Sequence, residues 1–357
     1  MHTSPILTDH PKLRADHPAF TDLCYLDTSS MGLMAASTVQ AAQRENERLM
    51  REGSVRFFHW MFGGNTEVAR TVAASVGGTE QGTALVQSFT VGLAQLAPLL
   101  QHRPKVLLVG HDYPTLHVPF ALPGFQRVLV QPEPDGTISL DTLRAAMERE
   151  RPQLVAISEV QWLTGFRIDL AAVADLCRAY GAWSLLDITQ SWCAVPQDVQ
   201  AAGIDLVGAS GYKWPLAGFG NGFMHLSEAV RAELQERNGV DPIAMLNAGH
   251  RDPVALTRLQ DALQRITAIG PERIAAHVSA LCTYALERFD AAGITVLYGH
   301  RPEQRAGILV LQGDEARVKR LEEQRVKVAY RDKGIRVGIH FYNNAQDIDR
   351  LVEVWGK

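Results

Sequence analysis

The sequence lacks any long apolar run and any strong excess of one charge. No stretch approaches the roughly 18 consecutive apolar residues that a membrane-spanning helix needs, and the net charge is only −4. The charged residues are spread along the chain, so there is no basic footprint for nucleic acid and no polybasic run for a membrane surface. We therefore expect a soluble protein whose partner is a small molecule, not a nucleic acid or a membrane.

Cysteine is also scarce. The four cysteines, Cys24, Cys177, Cys193 and Cys282, form no CxxC pair, and the first residues lack the charged-then-apolar pattern of a signal peptide. A reducing cytoplasm is the expected location, and no metal site is predicted. Cys177 and Cys282 fall within helical patterns, where a buried thiol acts as a small hydrophobic residue.

The chain is too long for one small core. Its 357 residues exceed the ~100 to 200 residues of a typical folding unit. We predict an N-terminal extension over residues 1–20, a large domain over 21–240 and a small C-terminal domain over 241–357. Internal repeats and low-complexity linkers are absent from the sequence.

Short runs rich in Val, Leu and Ile alternate with helical periodicity in the first two thirds of the chain. Such alternation indicates an α/β fold with a mostly parallel sheet that is buried on both faces. Seven strands are predicted, at residues 83–88, 105–110, 127–133, 153–160, 183–189, 205–210 and 222–227.

The pattern changes after residue 228 to long helical stretches, over residues 252–269 and 272–293. Short strand candidates and a closing helix follow, which is typical of a separate α+β unit. The strand candidates lie at residues 294–299, 306–313 and 334–341, and the helix at 345–355. A further strand is expected near the N-terminus, at residues 24–30.

Polar residues follow five of the seven predicted strands. In sheets of this kind ligands bind outside the carboxyl ends of the strands, so these residues should line one pocket. They occupy positions 88–90, 111–115, 161–165, 187–190 and 210–213.

Lys213 and Asp187 are the strongest candidates for chemistry. Lys213 lies between an apolar strand and a Gly-rich loop, and a lysine with a lowered pKa can form an imine with an aldehyde. Asp187 ends an otherwise apolar strand, where a carboxylate needs a charged partner. A protonated pyridine nitrogen would be such a partner, although a helix-capping role for Asp187 is the simpler alternative.

Hydroxyl groups surround these two residues in the sequence. Ser210 and Tyr212 precede the lysine, and Ser88 and Thr90 stand between a strand and a helix. A helix N-terminus with nearby hydroxyls suits an anion such as a phosphate. For residues 88–90 alone, a simple helix cap is equally compatible with the pattern.

Several segments, in order along nearly the whole chain, resemble the class V aminotransferase superfamily, which includes cysteine desulfurases, kynureninases and isopenicillin N epimerase-like enzymes. The similarity rests above all on DITQSW followed by ASGYKW, which look like the family's Asp-x-x-Gln and Ser-x-(His/Tyr)-Lys pair. Further similar segments are YLDTSSMGL, SFTVGL, WLTGFRIDL, ITAIGPERI and IRVGIHFYNNAQDIDRL.

The resemblance implies a type I fold of the PLP-dependent transferases, with pyridoxal 5'-phosphate (PLP) as cofactor. Lys213 would be the Schiff-base lysine and proton carrier, Asp187 the partner of the ring nitrogen, and Gln190 a donor to the phenolic oxygen of the ring. The residues implied around the ring and phosphate are Ser88, Phe89, Thr90, Tyr113, Ser210 and Tyr212.

The substrate side of the site follows from the same resemblance. Arg336 would pair with the α-carboxylate of an amino acid, for which a guanidinium offers two parallel hydrogen bonds. Ser30 and Trp162 would lie beside the substrate. A surface arginine on a strand is the alternative interpretation of Arg336.

The sequence also departs from the family pattern. Cysteine desulfurases carry a loop cysteine near the carboxylate-binding arginine, and the stretch RVKVAYRDKGIRVGIHF has none. A Gly-Thr pair of the family, which contacts the phosphate across a dimer interface, is replaced here by Gly249 and His250. We still expect a homodimer, but this expectation does not depend on the phosphate contact.

These features favour a PLP-dependent lyase that acts by β-elimination, including C–S cleavage, on a small amino acid. An aminotransferase or an amino-acid epimerase is the alternative, because all three share removal of the α-proton. A PLP-fold binding protein without catalysis is more remote, since the lysine and the aspartate are both present. A dinucleotide-binding oxidoreductase is disfavoured because no GxGxxG follows an early strand.

Overall fold

The computed structural model describes residue 7 and residues 9–356. Helices make up most of the regular structure. A π-helical turn, Trp60–Gly64, joins two of them. The helices are α1 (His10–Ala15), α2 (Ala36–Glu52), α3 (Ser54–His59), α4 (Asn65–Ser75), α5 (Phe89–Leu96), α6 (Pro114–His117), α7 (Leu140–Glu150), α8 (Leu170–Ala179), α9 (Glu228–Asn238), α10 (Pro242–Leu246), α11 (Pro253–Ile269), α12 (Pro271–Ala291), α13 (Glu315–Glu323) and α14 (Ala345–Val354).

The strands form one large and two small sheets. They are β1 (Cys24–Tyr25), β2 (Thr83–Val86), β3 (Lys105–Val109), β4 (Gln126–Val130), β5 (Leu154–Ser158), β6 (Trp183–Asp187), β7 (Leu206–Ser210), β8 (Gly222–Leu226), β9 (Ile308–Gln312), β10 (Val326–Lys327), β11 (Ala329–Arg331) and β12 (Gly334–Gly338).

The large sheet has seven strands in the order β2-β8-β7-β6-β5-β3-β4. All pairs are parallel except those of β8, which runs antiparallel to β7 and β2. The α/β fold with a mostly parallel seven-stranded sheet, predicted from the apolar runs, is thereby confirmed.

Burial explains why these runs contain few polar residues. Every residue of β5, β6, β7 and β8 is buried, because apolar helix faces cover both sides of the sheet. The edge strand β4 is more exposed. A continuous apolar run, without alternation, is what a strand buried on both faces requires.

The C-terminal part contains a three-stranded antiparallel sheet in the order β11-β12-β9. The predicted strands at 306–313 and 334–341 are found there as β9 and β12. The strand predicted at residues 294–299 is wrong, because this segment makes only a single bridge, Val296 to Leu311. The N-terminal strand β1 is shorter than expected and pairs in parallel with β10.

The proposed domain boundaries remain a prediction. Helices α10 and α11 follow the predicted boundary at residue 240 in sequence. They nevertheless pack beside elements that precede this boundary, since α11 contacts α2 and α4, and α10 contacts β2. Residues 1–6 and 8 of the predicted N-terminal extension lie outside the described part of the chain. Within the described residues, no helix is long and apolar enough to cross a membrane.

Candidate active site

The candidate site lies at the carboxyl edge of the large sheet. The last residue of β5, Ser158, pairs with Asp187, the last residue of β6, and Asp187 in turn pairs with Gly208 of β7. Parallel register therefore places the ends of three neighbouring strands side by side. The loops that follow them form the walls of one pocket.

Lys213 lines this pocket. The residue follows β7 in the chain and is 5% exposed. Its Nζ lies 5.1 Å from the ring centroid of Tyr113 and 5.5 Å from that of Tyr212. Burial lowers the pKa of Lys213, and the guanidinium of Arg336 lowers it further, while Asp187 partly opposes both. A lowered pKa leaves more of the amine unprotonated and able to attack a carbonyl group.

The backbone next to Lys213 is held by a close approach at Gly32. The Gly32 N–H donates to the Tyr212 carbonyl at 2.9 Å, and a Cβ at Gly32 would overlap the Lys213 carbonyl oxygen. Only glycine fits there without moving the lysine backbone.

Asp187 is the buried acid of the site. Its Oδ1 accepts the Thr189 N–H at 2.8 Å. Burial raises the pKa of Asp187, whereas the bonds from Thr189 and the charge of Lys213 lower it. A buried carboxylate with one short backbone bond is ready to pair with a cationic group of a ligand.

A second buried acid, Asp112, braces the wall behind Asp187. The Ser158 N–H and hydroxyl donate to its two carboxylate oxygens at 2.8 and 2.6 Å, and the Gln161 amide donates at 3.2 Å. The pattern of polar residues after strands predicts residues 111–115 in the site but gives Asp112 no role. The signal for it is an acid close to a strand end, since Asp112 lies three residues beyond β3 and Asp187 is the last residue of β6.

Hydroxyl groups gather at the start of α5. Ser88 is the N-cap and accepts the Val91 N–H at 3.3 Å, which satisfies the capping alternative. The Phe89 N–H donates to Ser210 Oγ at 2.9 Å. Thr90 is exposed beside them, so an anion at this end would meet hydroxyls, backbone N–H groups and the positive end of the helix dipole.

Gln190 lines the pocket and is held in place by hydrogen bonds to residues outside its lining. Its Nε2 donates to the Ser29 carbonyl at 3.0 Å, and its Oε1 accepts the Trp214 indole N–H at 2.8 Å. Because a primary amide has two N–H groups, one donor of Gln190 is left for a ligand.

Two aromatic rings form the outer wall. Tyr113 and Trp162 meet edge to face with their centroids 5.4 Å apart, and the Trp162 indole donates to the His111 carbonyl at 3.0 Å. His111 has a φ of 64°, a left-handed conformation that turns the chain sharply before Tyr113. The bend directs the tyrosine ring toward Lys213.

Arg336 approaches from the small sheet. It is 2% exposed and donates through Nη1 to the Trp162 carbonyl at 2.8 Å and through Nη2 to Ser30 Oγ at 2.8 Å. Its Nε is buried and has no hydrogen-bond partner among residues 9–356. Burial lowers the pKa of Arg336 to about 10, with Asp27 opposing, so the group stays cationic at neutral pH and can accept an anion.

The structure thus brings ten of the twelve predicted site residues into one pocket lining. Ser30 and Arg336 are not part of that lining, but they are connected to it through the Trp162 carbonyl. The ten lining residues are Ser88, Phe89, Thr90, Tyr113, Trp162, Asp187, Gln190, Ser210, Tyr212 and Lys213. The role assigned to each of them stays a prediction.

The residues present fit PLP. A buried amine can bond to its aldehyde, a buried carboxylate can face its ring nitrogen, and a capped helix start with nearby hydroxyls can hold its phosphate. The unpartnered Nε of Arg336 leaves a donor for an amino-acid carboxylate. No group of three or more side chains suited to a metal ion occurs in residues 9–356.

Comparisons with known proteins agree with this geometry. A cysteine desulfurase from Klebsiella pneumoniae (strain 342) is 29% identical over 253 residues, which are 61% of this chain and 61% of that protein. One from Escherichia coli (strain K12 / DH10B) is 31% identical over 193 residues, 49% of this chain and 46% of that protein. The matched region thus spans less than two thirds of the length of either relative.

Solved structures are similar over almost the whole chain. The cysteine desulfurase from Thermococcus onnurineus NA1 superposes with a TM-score of 0.87 at 17% identity, covering 99% of this chain and 98% of that one. The cystine C-S lyase C-DES, in complex with its reaction product cysteine persulfide, superposes with a TM-score of 0.84 at 17% identity, covering 96% and 99%. At such identities the likeness shows the fold.

The family assignment rests on the sequence itself. The profile of the family described as aminotransferase class-V matches residues 25–351, which include the seven-stranded sheet, the three-stranded sheet and every predicted site residue. The chain therefore belongs to the class V aminotransferase family of PLP-dependent enzymes.

Proposed function

We propose that this enzyme holds PLP on Lys213 and acts at the α-amino group of a small amino acid, ending in β-elimination with C–S cleavage. The carrying observation is a buried amine with a lowered pKa in the same pocket as the buried carboxylate of Asp187. The relatives named cysteine desulfurase and the cystine C-S lyase support a sulfur-containing substrate.

The protein side chains divide the work between them. When bound, PLP supplies an electron sink for the carbanion that forms at Cα. Asp187 would supply a compensating negative charge to the ring nitrogen, and Ser88, Ser210 and the start of α5 would hold the phosphate. Tyr113 covers the pocket on the side of the Lys213 amine, 5.1 Å away.

Lys213 also moves the proton. The free Lys213 amine would take the Cα proton of the bound substrate, because its lowered pKa makes it a base near neutral pH. The Cβ–S bond breaks and its electron pair leaves with sulfur. Elimination followed by hydrolysis would yield pyruvate and ammonia, and the Lys213 amine would again be available to hold the cofactor.

Arg336 fixes the substrate for this proton transfer. Its Nη atoms are held by the Trp162 carbonyl and Ser30 Oγ, so the guanidinium plane is set before the substrate binds. A carboxylate bound to a guanidinium held in this way leaves little freedom at Cα. The amine of Lys213 then meets one face of the α-carbon.

We further propose that sulfur leaves as a free thiol, sulfide or persulfide and not on a protein cysteine. Cys177, Cys193 and Cys282 are buried, and Cys24 is half-buried. Burial raises the pKa of each thiol, and the thiolate is the form that attacks sulfur. Cys193, closest in sequence to Gln190, packs in the apolar core.

Transamination and epimerisation stay the alternatives. Both begin with the same proton removal by Lys213 and differ only in where the proton returns. A cofactor-binding protein without catalysis is the remote alternative, since it would not need an amine of lowered pKa.

Two measurements test the proposal. Borohydride reduction of the purified protein, followed by peptide mass mapping, should place the cofactor on the peptide that contains Lys213, and modification of another lysine would contradict it. A panel of amino acids is then assayed for pyruvate, alanine and 2-oxo acids. Pyruvate that survives alkylation of the thiols favours the lyase, alanine lost on alkylation favours a persulfide cysteine, and a 2-oxo acid with the full side chain favours the transaminase.

We also propose a homodimer in the cytoplasm. Exposed apolar side chains cluster at the end of α2, in α3 and in the π-helical turn, and such patches mark interaction surfaces. His250 packs edge to face on one of them, Phe57, at 5.0 Å. Light scattering of the protein and of Phe62→Ser, which is 77% exposed in the native chain, tests the dimer. The other exposed members are Met50, Val55, Phe58 and Met61.

A further inference from the structure

A second arginine reaches the residue that holds Arg336. Arg331, at the end of β11, donates through Nη2 to Ser30 Oγ at 3.2 Å, while Arg336 donates to the same oxygen at 2.8 Å. Because both Nη2 atoms bind the same oxygen, the two guanidinium groups lie close to each other. Two like charges share one neutral hydroxyl at the edge of the candidate site.

The strand register explains this approach. In the β11–β12 hairpin, Ala329 pairs with Arg336 and Arg331 pairs with Gly334, so the two arginines lie diagonally on one face of the sheet. Long side chains at such diagonal positions reach each other. Arg331 lies next to the turn and is half-buried, whereas Arg336 is buried, so Arg331 is the outer member of the pair.

The positive charge of this pair is poorly compensated. Neither guanidinium forms an ion pair with a carboxylate within residues 9–356. The acid that interacts with both is Asp27, which is buried and whose Oδ1 has no hydrogen-bond partner in the described part of the chain. One carboxylate thus interacts with four cations, and burial raises its pKa; the cations are Arg336, Arg331, Lys327 and Lys213.

We propose that Arg331 binds a second acidic group at the end of the substrate side chain, so that the enzyme selects α-amino acids that carry two carboxylates. This inference rests on the proposed function, because Arg336 is assigned to the α-carboxylate. The buried guanidinium holds the end of the substrate nearest Lys213, and the outer one meets the far end.

An alternative use of the pair makes a different prediction. If both arginines bound the α-carboxylate, Arg331 would strengthen the binding of every amino acid equally, whatever its side chain. The difference can be measured without any reaction, because simple carboxylic acids lack the amine that would exchange with the cofactor.

The test is calorimetric titration of the holoenzyme with glutarate, a dicarboxylate, and with butyrate, a monocarboxylate of similar length. The native enzyme should bind glutarate about tenfold more tightly or better, since one charge-assisted bond is worth about that factor. Arg331→Gln should remove the preference and leave butyrate binding within about twofold. Arg331→Lys, which keeps the charge, should retain part of it.

The matched control is Lys333→Gln, in the exposed turn two residues away, which should leave the preference unchanged. Equal weakening of glutarate and butyrate by Arg331→Gln, or no preference in the native enzyme, would overturn the inference. Thermal denaturation of each variant shows that it is folded. If no amino acid is turned over but the glutarate preference is present and depends on Arg331, the proposed function fails and the binding site stands.

Discussion

The two halves of the candidate site are built in different ways. The cofactor wall, which we define as Asp187, Ser210 and Lys213, comes from consecutive strand ends of one sheet and is fixed by parallel register. The carboxylate corner, which we define as Ser30, Arg331 and Arg336, combines an N-terminal loop with a C-terminal hairpin. Its members are fixed by side-chain hydrogen bonds to one another.

This difference indicates which half tolerates change. A wall set by backbone register keeps its geometry when one side chain is replaced, so a substitution there removes chemistry and spares the fold. A corner set by side-chain contacts loses its geometry with any member. Variants of the wall should therefore affect turnover, and variants of the corner should affect substrate affinity.

The largest effect is expected from Lys213→Ala. Turnover should fall by at least about 10³-fold, because the variant loses both the covalent link and the base. The visible band of the bound cofactor near ~410 to 430 nm should disappear, while circular dichroism stays native. An unchanged band would exclude Lys213 as the attachment site. Lys319→Ala, on the exposed face of α13, is the control and should keep the band.

Asp187→Asn should reduce turnover by about 10²- to 10³-fold, because the ring nitrogen loses the buried charge opposite it. Part of the cofactor should remain bound, as the phosphate end is untouched. Rapid-quench measurement of a single turnover separates this effect from slow product release. Near-normal turnover would mean that the ring is protonated by another group.

Asp205→Asn provides a control for burial alone. Asp205 is a half-buried acid whose pKa is also raised by burial, but it accepts the Ser184 N–H at 2.8 Å away from the candidate site. This variant should lower the midpoint of thermal unfolding and leave turnover per folded molecule unchanged. If Asp205→Asn reduced turnover as much as Asp187→Asn, the loss of turnover in both variants would be an effect on the structure.

The cofactor wall could be predicted from the sequence, and the carboxylate corner only in part. Apolar runs gave the strands, and the polar residues after them gave Asp187 and Lys213, because local pattern determines both. The family motif suggested Arg336. Arg331 could not be found in this way, since its contact with Ser30 depends on a hairpin register and joins residues 301 positions apart.

Arg336→Gln should raise KM for the amino-acid substrate by about 10- to 100-fold, with a smaller change in kcat. The physical reason is the loss of a charge-assisted pair worth about 1.5–3 kcal/mol. Initial rates over a wide substrate range separate the two constants. Arg144→Gln removes the same charge from exposed α7 and should change neither. A pure loss in kcat would assign Arg336 to the cofactor wall.

Gly32→Ala should lower the free energy of unfolding by about 1–3 kcal/mol, the usual cost of overpacking. The new methyl group would displace the Lys213 carbonyl, so cofactor occupancy should fall with stability. Denaturant unfolding and the visible band report the two effects. Gly299→Ala, which has open space around the new Cβ, is the control. Equal stability of the two variants would show that the Lys213 backbone can move at no cost.

The smallest effect is expected in the pH dependence of cofactor capture, and it connects the two halves. Lys213 attacks the aldehyde only when unprotonated, so the capture rate of the cofactor-free protein should rise with pH through the lowered pKa of this lysine. Burial lowers that pKa first and Arg336 second, whereas Asp187 raises it. Arg336→Gln should therefore move the midpoint to higher pH, and Asp187→Asn should move it to lower pH.

Stopped-flow recording of the visible band between about pH 6 and about pH 10 covers the range in which a lysine of lowered pKa titrates. Each profile is normalised to its own plateau, so a change in cofactor affinity does not shift the midpoint. Arg144→Gln should leave the midpoint in place, because its charge is exposed and screened. Shifts of the same sign in both site variants would contradict opposite contributions of Arg336 and Asp187 to the pKa of Lys213.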